Sequence, residues 1–490
     1  MEEDMAADLS KLEPQILWKH FDALRKIPRC SGHEEKAAAY VMETAKKLGL
    51  AYRQDDAGNV VVQKPATPGK ENAEGVVLQT HLDMVCEKNS DVNFDFSQDA
   101  IQVRQEGDWL YANGTTLGAD NGIGIAAALA VMESTDLVHG PMEFLFTVEE
   151  EIGLLGAGKL PADFLQYRKM LNLDSEEEGI FFIGCAGGAD TTFRLSMQTK
   201  SPAGDLAMKI RVSGFHGGHS GIDIDKNRGN AIKFLTRMLW NAMDAGIPLE
   251  LADFSGGNKR NAIPREAEAV VVLEKGKEDT FRKTIEKAFH DAHLEYTSVE
   301  KEANFSAETL DQLPDSVLTV EETARLLNVL YSIPHGVLKM SSDIPDLVET
   351  SMNLATIRRD GNLFEVGISS RSSINSALES TRQQLRALGA LAGAEVEQPP
   401  GYPGWTPNLD SDILKTVKKV YKNLYGKEPG IKAIHAGLEC GIIGEKFPGM
   451  DMISIGPQIE HPHSPNERVH IPSVARFWDF LKALLEELAS

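Results

Sequence analysis

A chain of 490 residues exceeds one ordinary hydrophobic core, so two domains are expected, and 42% hydrophobic residues with 22 prolines exclude wholesale disorder. The formal net charge of -23 opposes nucleic acid and anionic membranes as partners and leaves acidic side chains for divalent metal. Four cysteines, Cys30, Cys86, Cys185 and Cys440, form no CxxC pair; they offer neither a disulfide framework nor a thiolate zinc site, and a reduced, cytoplasmic setting is expected.

The N-terminal Met1-Glu2-Glu3-Asp4 is acidic where a secretory signal is basic, and no apolar run approaches the ~20 residues of a membrane span. From Leu9 to about Leu50, Leu17, Phe21, Leu24, Ala37, Val41, Ala45 and Leu48 recur at helical spacing. Short strands follow at Asn59–Val62 and Gly75–Thr80, the second running into His81-Leu82-Asp83. An apolar strand ending in a polar pair is expected at the carboxyl edge of a buried α/β sheet, outside which such sheets bind ligands. Gly118-Ala119-Asp120-Asn121-Gly122 then opens an Ala-rich helix. Its glycine order is not that of a dinucleotide loop, and Asp120 suits either an N-cap or a metal ligand.

Met142–Phe146 is another apolar strand, followed by Glu149-Glu150-Glu151-Ile152-Gly153. Three acids at the rim of an apolar core protonate or find a cation, so the run reads as a general base, a metal ligand or both; a solvated acidic helix start is the plain alternative. Met170–Leu173 is a further strand, with Asp174 at its end. Singly, His81, Asp120, Glu150, Glu151 and Asp174 are each explained as caps or surface acids. Together, at successive element ends of one α/β region, they point to a shared polar centre.

The pattern changes beyond Cys185-Ala186-Gly187-Gly188. Strand-like stretches at 206–212, 262–273, 347–358 and 363–371 mingle with helical ones at 227–244, 278–292, 319–331 and 375–391. This order predicts two successive α+β sandwiches of the split βαβ kind, an internal duplication. Tyr402-Pro403-Gly404-Trp405 is a return linker, and a helix at Ser411–Tyr425, the run His435–Gly441, a strand at Met452–Ile455, His461-Pro462-His463 and a closing helix at Val474–Leu488 follow. The expected fold class is α/β: a sheet domain in two segments, 1–187 and 401–490, interrupted by an inserted α+β lid domain at 188–400.

One or two histidines with three or four carboxylates suit zinc, manganese or cobalt, which accept nitrogen and oxygen together. Two metals about 3.5–4 Å apart can share one carboxylate and a water, leaving a spare Glu as general base. The spacing of His81 and Asp83 adds an acid that fixes the tautomer of a ligating His. A serine-hydrolase site finds no G-x-S-x-G in the chain.

On His81-Leu82-Asp83, Gly118–Gly122, Glu150-Glu151-Ile152-Gly153, Asp174 and His461, the chain resembles the co-catalytic zinc metallopeptidases, a family that includes carnosinases, aminoacylases, acetylornithine deacetylase and glutamate carboxypeptidase. Gly217–Gly221, His435–Gly441, Ser454–Pro457 and His461–Pro465 are similar to its aminoacyl-histidine dipeptidase branch, and the likeness runs over nearly the whole chain. The resemblance implies a catalytic sheet domain with zinc-peptidase topology and two divalent metal ions, Zn2+ with Co2+ or Mn2+ as alternatives. Asp120 would bridge them, with His81 and Asp174 completing one site and Glu151 and His461 the other. Glu150 would be the general base that activates a water between the metals, Asp83 the support of His81, and Asp120-Asn121 a cis peptide. Gly153 sets the register of the acid run; a slip would exchange roles among Glu149, Glu150 and Glu151. His463, two residues beyond His461, would face the same side of an extended segment, and the family pattern favours His461.

In the lid, His219 would stabilise the oxyanion, and Asn261 and Arg371 would hold the substrate carboxylate; a turn, a cap and a strand-end charge are the plain alternatives. Glu439, beside His435 in a Gly-rich loop, would receive the free amino group. The implied function is a cytoplasmic, homodimeric dipeptidase acting on Xaa-His substrates, carnosine-like ones included. A tripeptidase, aminoacylase or deacetylase on the same fold, and a non-catalytic metal- or peptide-binding protein, are the alternatives.

Overall fold

The computed structural model describes residues 7–490, so the acidic run Met1–Asp4 lies outside the described residues. The N-terminal helical stretch is two helices, α1 (Gln15–Leu24) and α2 (Glu35–Lys47). Pro28 disfavours helix at the residue before it, and the intervening 25–34 carries Arg29 and Cys30. Strands β1 (Ala51–Gln54), β2 (Val60–Lys64) and β3 (Val76–His81) follow, then a hairpin of β4 (Val103–Glu106) and β5 (Trp109–Ala112), helix α3 (Ala119–Glu133), and strands β6 (Met142–Thr147), β7 (Lys169–Asn172) and β8 (Ile180–Cys185). β3 and β6 are buried at every position, which is why they read as continuous apolar runs without alternation.

After Cys185 the chain enters a second unit, Ala186–Gly404 with Ile434–Gly437. Its elements are β9 (Gly187–Ser196), β10 (Leu206–Ser213), α4 (Ala231–Asp244), β11 (Glu250–Gly256), β12 (Ala267–Leu273), α5 (Glu278–Leu294), β13 (Asn304–Thr309), α6 (Val320–Ser332), β14 (Val348–Asp360), β15 (Leu363–Ser372), α7 (Asn375–Ala392) and β16 (Glu395–Glu397). Alternation is clear in β10, where Met208, Ile210 and Val212 enter the core and Lys209 and Arg211 do not. The strands run in the order β13-β10-β12-β11-β14-β15-β9-β16 within one sheet.

That order corrects the expected arrangement of the duplication. The succession β10-α4-β11-β12-α5-β13 is one split βαβ unit, and β9-α6-β14-β15-α7-β16 is the other, so the first is nested inside the connection from β9 to α6. β9, for which the sequence pattern predicts no strand, pairs along its length with the distant β15. The two halves join where Gly256 faces Ile357. The next residue, Gly257, has a φ of 67°, and a Cβ there would collide with the Ala355 carbonyl, so only glycine fits the seam.

The chain returns to the first unit through α8 (Asp412–Tyr425), β17 (Gly430–Ile434), α9 (Glu439–Lys446), β18 (Asp451–Ser454), the hairpin strands β19 (Ile459–Glu460) and β20 (Arg468–His470), and α10 (Ile471–Leu488). The eight-stranded sheet of this unit has the order β1-β2-β6-β3-β7-β18-β8-β17. β6, β3, β7 and β18 run parallel, with His81 opposite Thr147, Gln79 opposite Asn172, and Asn172 opposite Ser454. Their carboxyl ends therefore lie along one edge. Among the described residues, no helix is long and apolar enough to cross a membrane.

The cysteine expectation is corrected as well. Cys30 and Cys86, 56 residues apart, form a disulfide with Cα atoms 5.7 Å apart, while Cys185 and Cys440 are free and buried. Cys30 reaches its partner because it forms a parallel bridge to Met84, a tertiary pairing that sequence spacing does not encode. Closing a loop of that length stabilises the fold by about 4 kcal/mol in the chain-entropy description. Cys86→Ser should lower the thermal midpoint of the first unit under non-reducing conditions, and a thiol reductant should lower the parent protein to the same value without moving the variant. Equal midpoints for parent and variant without reductant would show that the bond contributes nothing.

Candidate metal centre

The carboxyl edge of β3 delivers His81, which is fully buried. Its Nε2 lies 3.1 Å from Asp120 Oδ1 and 3.1 Å from Asp174 Oδ1, and its Nδ1 faces Asp83 Oδ1 at 3.3 Å. Asp120 comes from the non-helical start of α3, and its second oxygen, Oδ2, lies 3.2 Å from His463 Nε2. His463 is also 3.0 Å from Glu151 Oε2. One carboxylate thus divides its oxygens between two imidazoles, each of which meets a further acid. The peptide between Asp120 and Asn121 is cis. Asn121 Nδ2 donates to the Leu173 carbonyl at 2.8 Å and to Asp174 Oδ1 at 2.6 Å, which orients Asp174.

Asp83 is the anchor of the glutamate turn. It accepts from the Glu150 amide at 3.1 Å, from the Glu151 amide at 3.0 Å and from Ser31 Oγ at 2.8 Å. Burial pushes its pKa up, but the His81 contact and these donors outweigh burial and bring it down to about 2. Glu149, in a left-handed conformation, turns away and pairs with Lys159 Nζ at 3.0 Å. The acids aimed into the cluster are therefore Glu150 and Glu151. Burial, against the pull of His81, holds the Glu150 pKa well above the usual carboxylate range, with Asp174, Glu151 and Glu439 adding to the rise. Burial also raises Asp174, to about 6.

Three sets of donor atoms each fall within 4.8 Å of one another: His81, Glu150 and Glu151; His81, Asp120 and Asp174; and Asp120, Glu151 and His463. Glu151 Oε1 is buried and, among the described residues, has no hydrogen-bond partner. Acids this close repel one another unless they are protonated or balanced by cations. Mixed imidazole and carboxylate donors around a shared Asp fit two divalent ions of the zinc, cobalt or manganese kind.

The imidazole of the third set belongs to His463. His461, exposed like His463, is in none of the three sets. The expectation assumed an extended segment, whereas 461–466 is a turn in which both histidines have positive φ, 55° and 59°. Glu439 also departs from expectation. It begins α9, is fully buried, and accepts from Gln79 Nε2 at 2.6 Å and Thr147 Oγ1 at 2.7 Å, beneath the strand ends. Burial pushes its pKa up to about 8. A side chain so enclosed does not present itself to a substrate amine.

Two residues escaped the sequence reading. Arg29, buried, donates to the carbonyls of Leu82 at 3.1 Å, Asp83 at 2.8 Å and Gly118. Glu467, also buried, accepts from the amides of Leu117, Gly118, Ala119 and Asp120 at 2.7, 2.9, 2.7 and 3.2 Å. A lone Arg before a cysteine and a lone Glu before a short strand carry no local signal.

In the second unit, the Gly221 amide donates to His219 Nδ1 at 3.2 Å. Burial and the Arg371 charge lower the His219 pKa to about 4. Arg371, buried, donates to Tyr402 Oη at 2.8 Å, and its Nη2 lies 3.4 Å from His219 Nε2. Asn261 is exposed and its carbonyl accepts from the Ser220 amide at 2.8 Å. His435 Nε2 lies 2.7 Å from Ser351 Oγ.

Residues 77–487 match the model of peptidase family M20/M25/M40. The chain belongs to this family. The M20 peptidase is a metallopeptidase, a hydrolase of peptide bonds, as the resemblance implied. It is 43% identical over 485 residues to the cytosol non-specific dipeptidase of Escherichia coli, covering 98% of this chain and 99% of that one. Its structure superposes on the crystal structure of an aminoacylhistidine dipeptidase from Vibrio alginolyticus with a TM-score of 0.91 and 42% identity, over 98% of each chain. A tripeptidase from Staphylococcus aureus shares the fold, with a TM-score of 0.56 at 17% identity over 98% of this chain and 99% of that one. Of the two histidines, His463→Ala should cost the M20 peptidase about one metal equivalent per chain by elemental analysis, and His461→Ala none; the opposite result would return the ligand role to His461.

Proposed function

We propose that this M20 peptidase is a dipeptidase that works with two divalent metal ions, Zn2+ foremost, and takes Xaa-His substrates, carnosine-like dipeptides among them. The observation that carries the reading is Asp120, whose oxygens lie 3.1 Å from His81 and 3.2 Å from His463. Bound divalent metal supplies Lewis acidity, lowering the pKa of water and polarising the scissile carbonyl. His81, Asp120 and Asp174 would hold one ion, and Asp120, Glu151 and His463 the other.

Glu150 is the general base: it takes a proton from the attacking water and delivers it to the leaving amine. Asp83 fixes both His81 and the turn that carries Glu150. His219 is the donor to the developing oxyanion. Arg371 and Asn261 receive the substrate carboxylate, Arg371 through its planar fork. The segments 1–187 and 401–490 form the catalytic domain and 188–400 the lid. The functional form is a cytoplasmic homodimer; the E. coli relative is named for the cytosol, and a reducing compartment would keep Cys30 and Cys86 as thiols.

The test follows histidine release from Ala-His, β-Ala-His and Gly-Gly-His, beside acetate release from N-acetyl amino acids, with protein stripped of metal and refilled with zinc or manganese. Metal-restored cleavage of the dipeptides alone is expected. Activity confined to acetylated amino acids would reassign the substrate pocket, and bound metal with silence on every amide would sink the dipeptidase reading. Glu150→Gln should lower turnover by about 10²–10⁴-fold while metal content stays that of the parent; loss of metal would move Glu150 into the ligand set.

A further inference from the structure

The backbone angles of Asp120 and Asn121 are non-helical, so the hydrogen-bonded ladder of α3 starts behind them and the amides of Leu117–Asp120 lie ahead of it. Such amides are ordinarily satisfied by a neighbouring cap or by water. Here one carboxylate takes all four: Oε2 of Glu467 accepts from Leu117 and Gly118, and Oε1 from Ala119 and Asp120. The acid arrives from 350 residues away in sequence and is 2% exposed.

Glu467 sits in the β19–β20 connection, the same short turn that carries His463. Its bonds therefore fix two things to each other: the amide of Asp120 itself and the loop bearing the imidazole that meets Asp120 Oδ2 at 3.2 Å. On the opposite side of the Leu117–Asp120 turn, Arg29 grips the Gly118 carbonyl together with those of Leu82 and Asp83. Gly118 has a φ of 67°, and a Cβ there would come within 2.7 Å of Arg29 Nη2. The turn is thus clamped between a buried cation and a buried anion. His81 and Asp174 reach their places by other means, through Asp83 and Asn121.

We propose that Glu467 is the positioning residue of the His463 metal subsite, holding Asp120 and His463 in one ligand set before any ion arrives. The inference rests on the two-metal reading above. Because Glu467 touches neither ion nor substrate in this role, its loss should act selectively. Zn2+ titrated into chelator-stripped protein, with metal per chain counted by mass spectrometry, should show the second equivalent bound about 10- to 100-fold more weakly in Glu467→Gln and the first within about threefold of the parent. Glu467→Asp, which keeps the charge but falls one methylene short of the four amides, should lie between. Added to His463→Ala, Glu467→Gln should cost no further metal.

Hydrogen exchange on the parent protein supplies a test that needs no variant: the amides of Leu117–Asp120 should exchange as slowly after chelation as with metal bound. Fast exchange of these amides in the stripped protein would overturn the proposal, as would equal weakening of both equivalents or unchanged binding in a folded Glu467→Gln. A parent that binds fewer than two equivalents yet keeps the slow amides would count against the two-metal reading and not against the role of Glu467 in holding the turn.

Discussion

Asp120 must serve two imidazoles with one carboxylate. Its oxygens lie 3.1 Å from His81 and 3.2 Å from His463, so the plane of the group cannot turn toward one ring without leaving the other. Everything else at the edge of the sheet is arranged about that plane. Asp174 shares the first ring and is held by Asn121; Glu151 shares the second and is held through its amide by Asp83. These neighbours are themselves acids, and mutual repulsion would splay them if the backbone did not fix them or a cation did not bind them. The construction spends backbone hydrogen bonds on rigidity and leaves the charge of the acids to be balanced by metal.

Along β3, β6 and β7 the environment changes in three steps. The lower halves, such as Val76–Leu78 and Phe144–Phe146, are wholly apolar. Next comes a layer of neutral polar groups, Gln79, Thr147 and Asn172, joined to one another and to the buried Glu439; Asn172 Nδ2 donates to Gln79 Oε1 at 2.5 Å. His81, Glu150 and Asp174 follow at the strand ends. The middle layer separates the ionic centre from the hydrocarbon core by groups that can be satisfied within the sheet, which is the condition for burying polar atoms at all. Glu439 belongs to that layer, which explains how a residue in a motif beside the site can be out of reach of a ligand.

The parallel strands and their acidic ends were legible because they combine two strong signals, unbroken apolar runs and a polar residue at the stop; His81, Glu150, Glu151 and Asp174 came from that pattern, and Asp120 from the glycine cluster that opens an Ala-rich helix. The family likeness placed the same residues in roles, and the family model now covers 77–487. What escaped depended on geometry without a sequence period. The choice between His461 and His463 turned on two left-handed residues in a six-residue turn, and Pro462 between them hides the bend behind an extended-looking spacing. The Cys30–Cys86 bond, the Arg29 clamp and the Glu467 cradle each join segments far apart in the chain. In the inserted unit the stretches 206–212, 347–358 and 363–371 are strands as expected, whereas β9, β11 and β13 escaped the pattern, and the nesting was invisible because the partner of β9 lies beyond an entire inserted unit.

That discontinuity governs when the centre can exist. His463 lies 343 residues after Asp120, and a ribosome adding ~5–20 residues per second needs roughly 20 to 70 s to cover that distance. During that interval the nascent chain displays Asp120, then Glu150, Glu151 and Asp174, without the imidazole and the amide-binding carboxylate that close the set around them. The inserted unit is finished first, while the sheet still waits for β18. The cluster of imidazoles and acids therefore closes late in translation, and an unfinished chain holds its acids without the imidazole of His463.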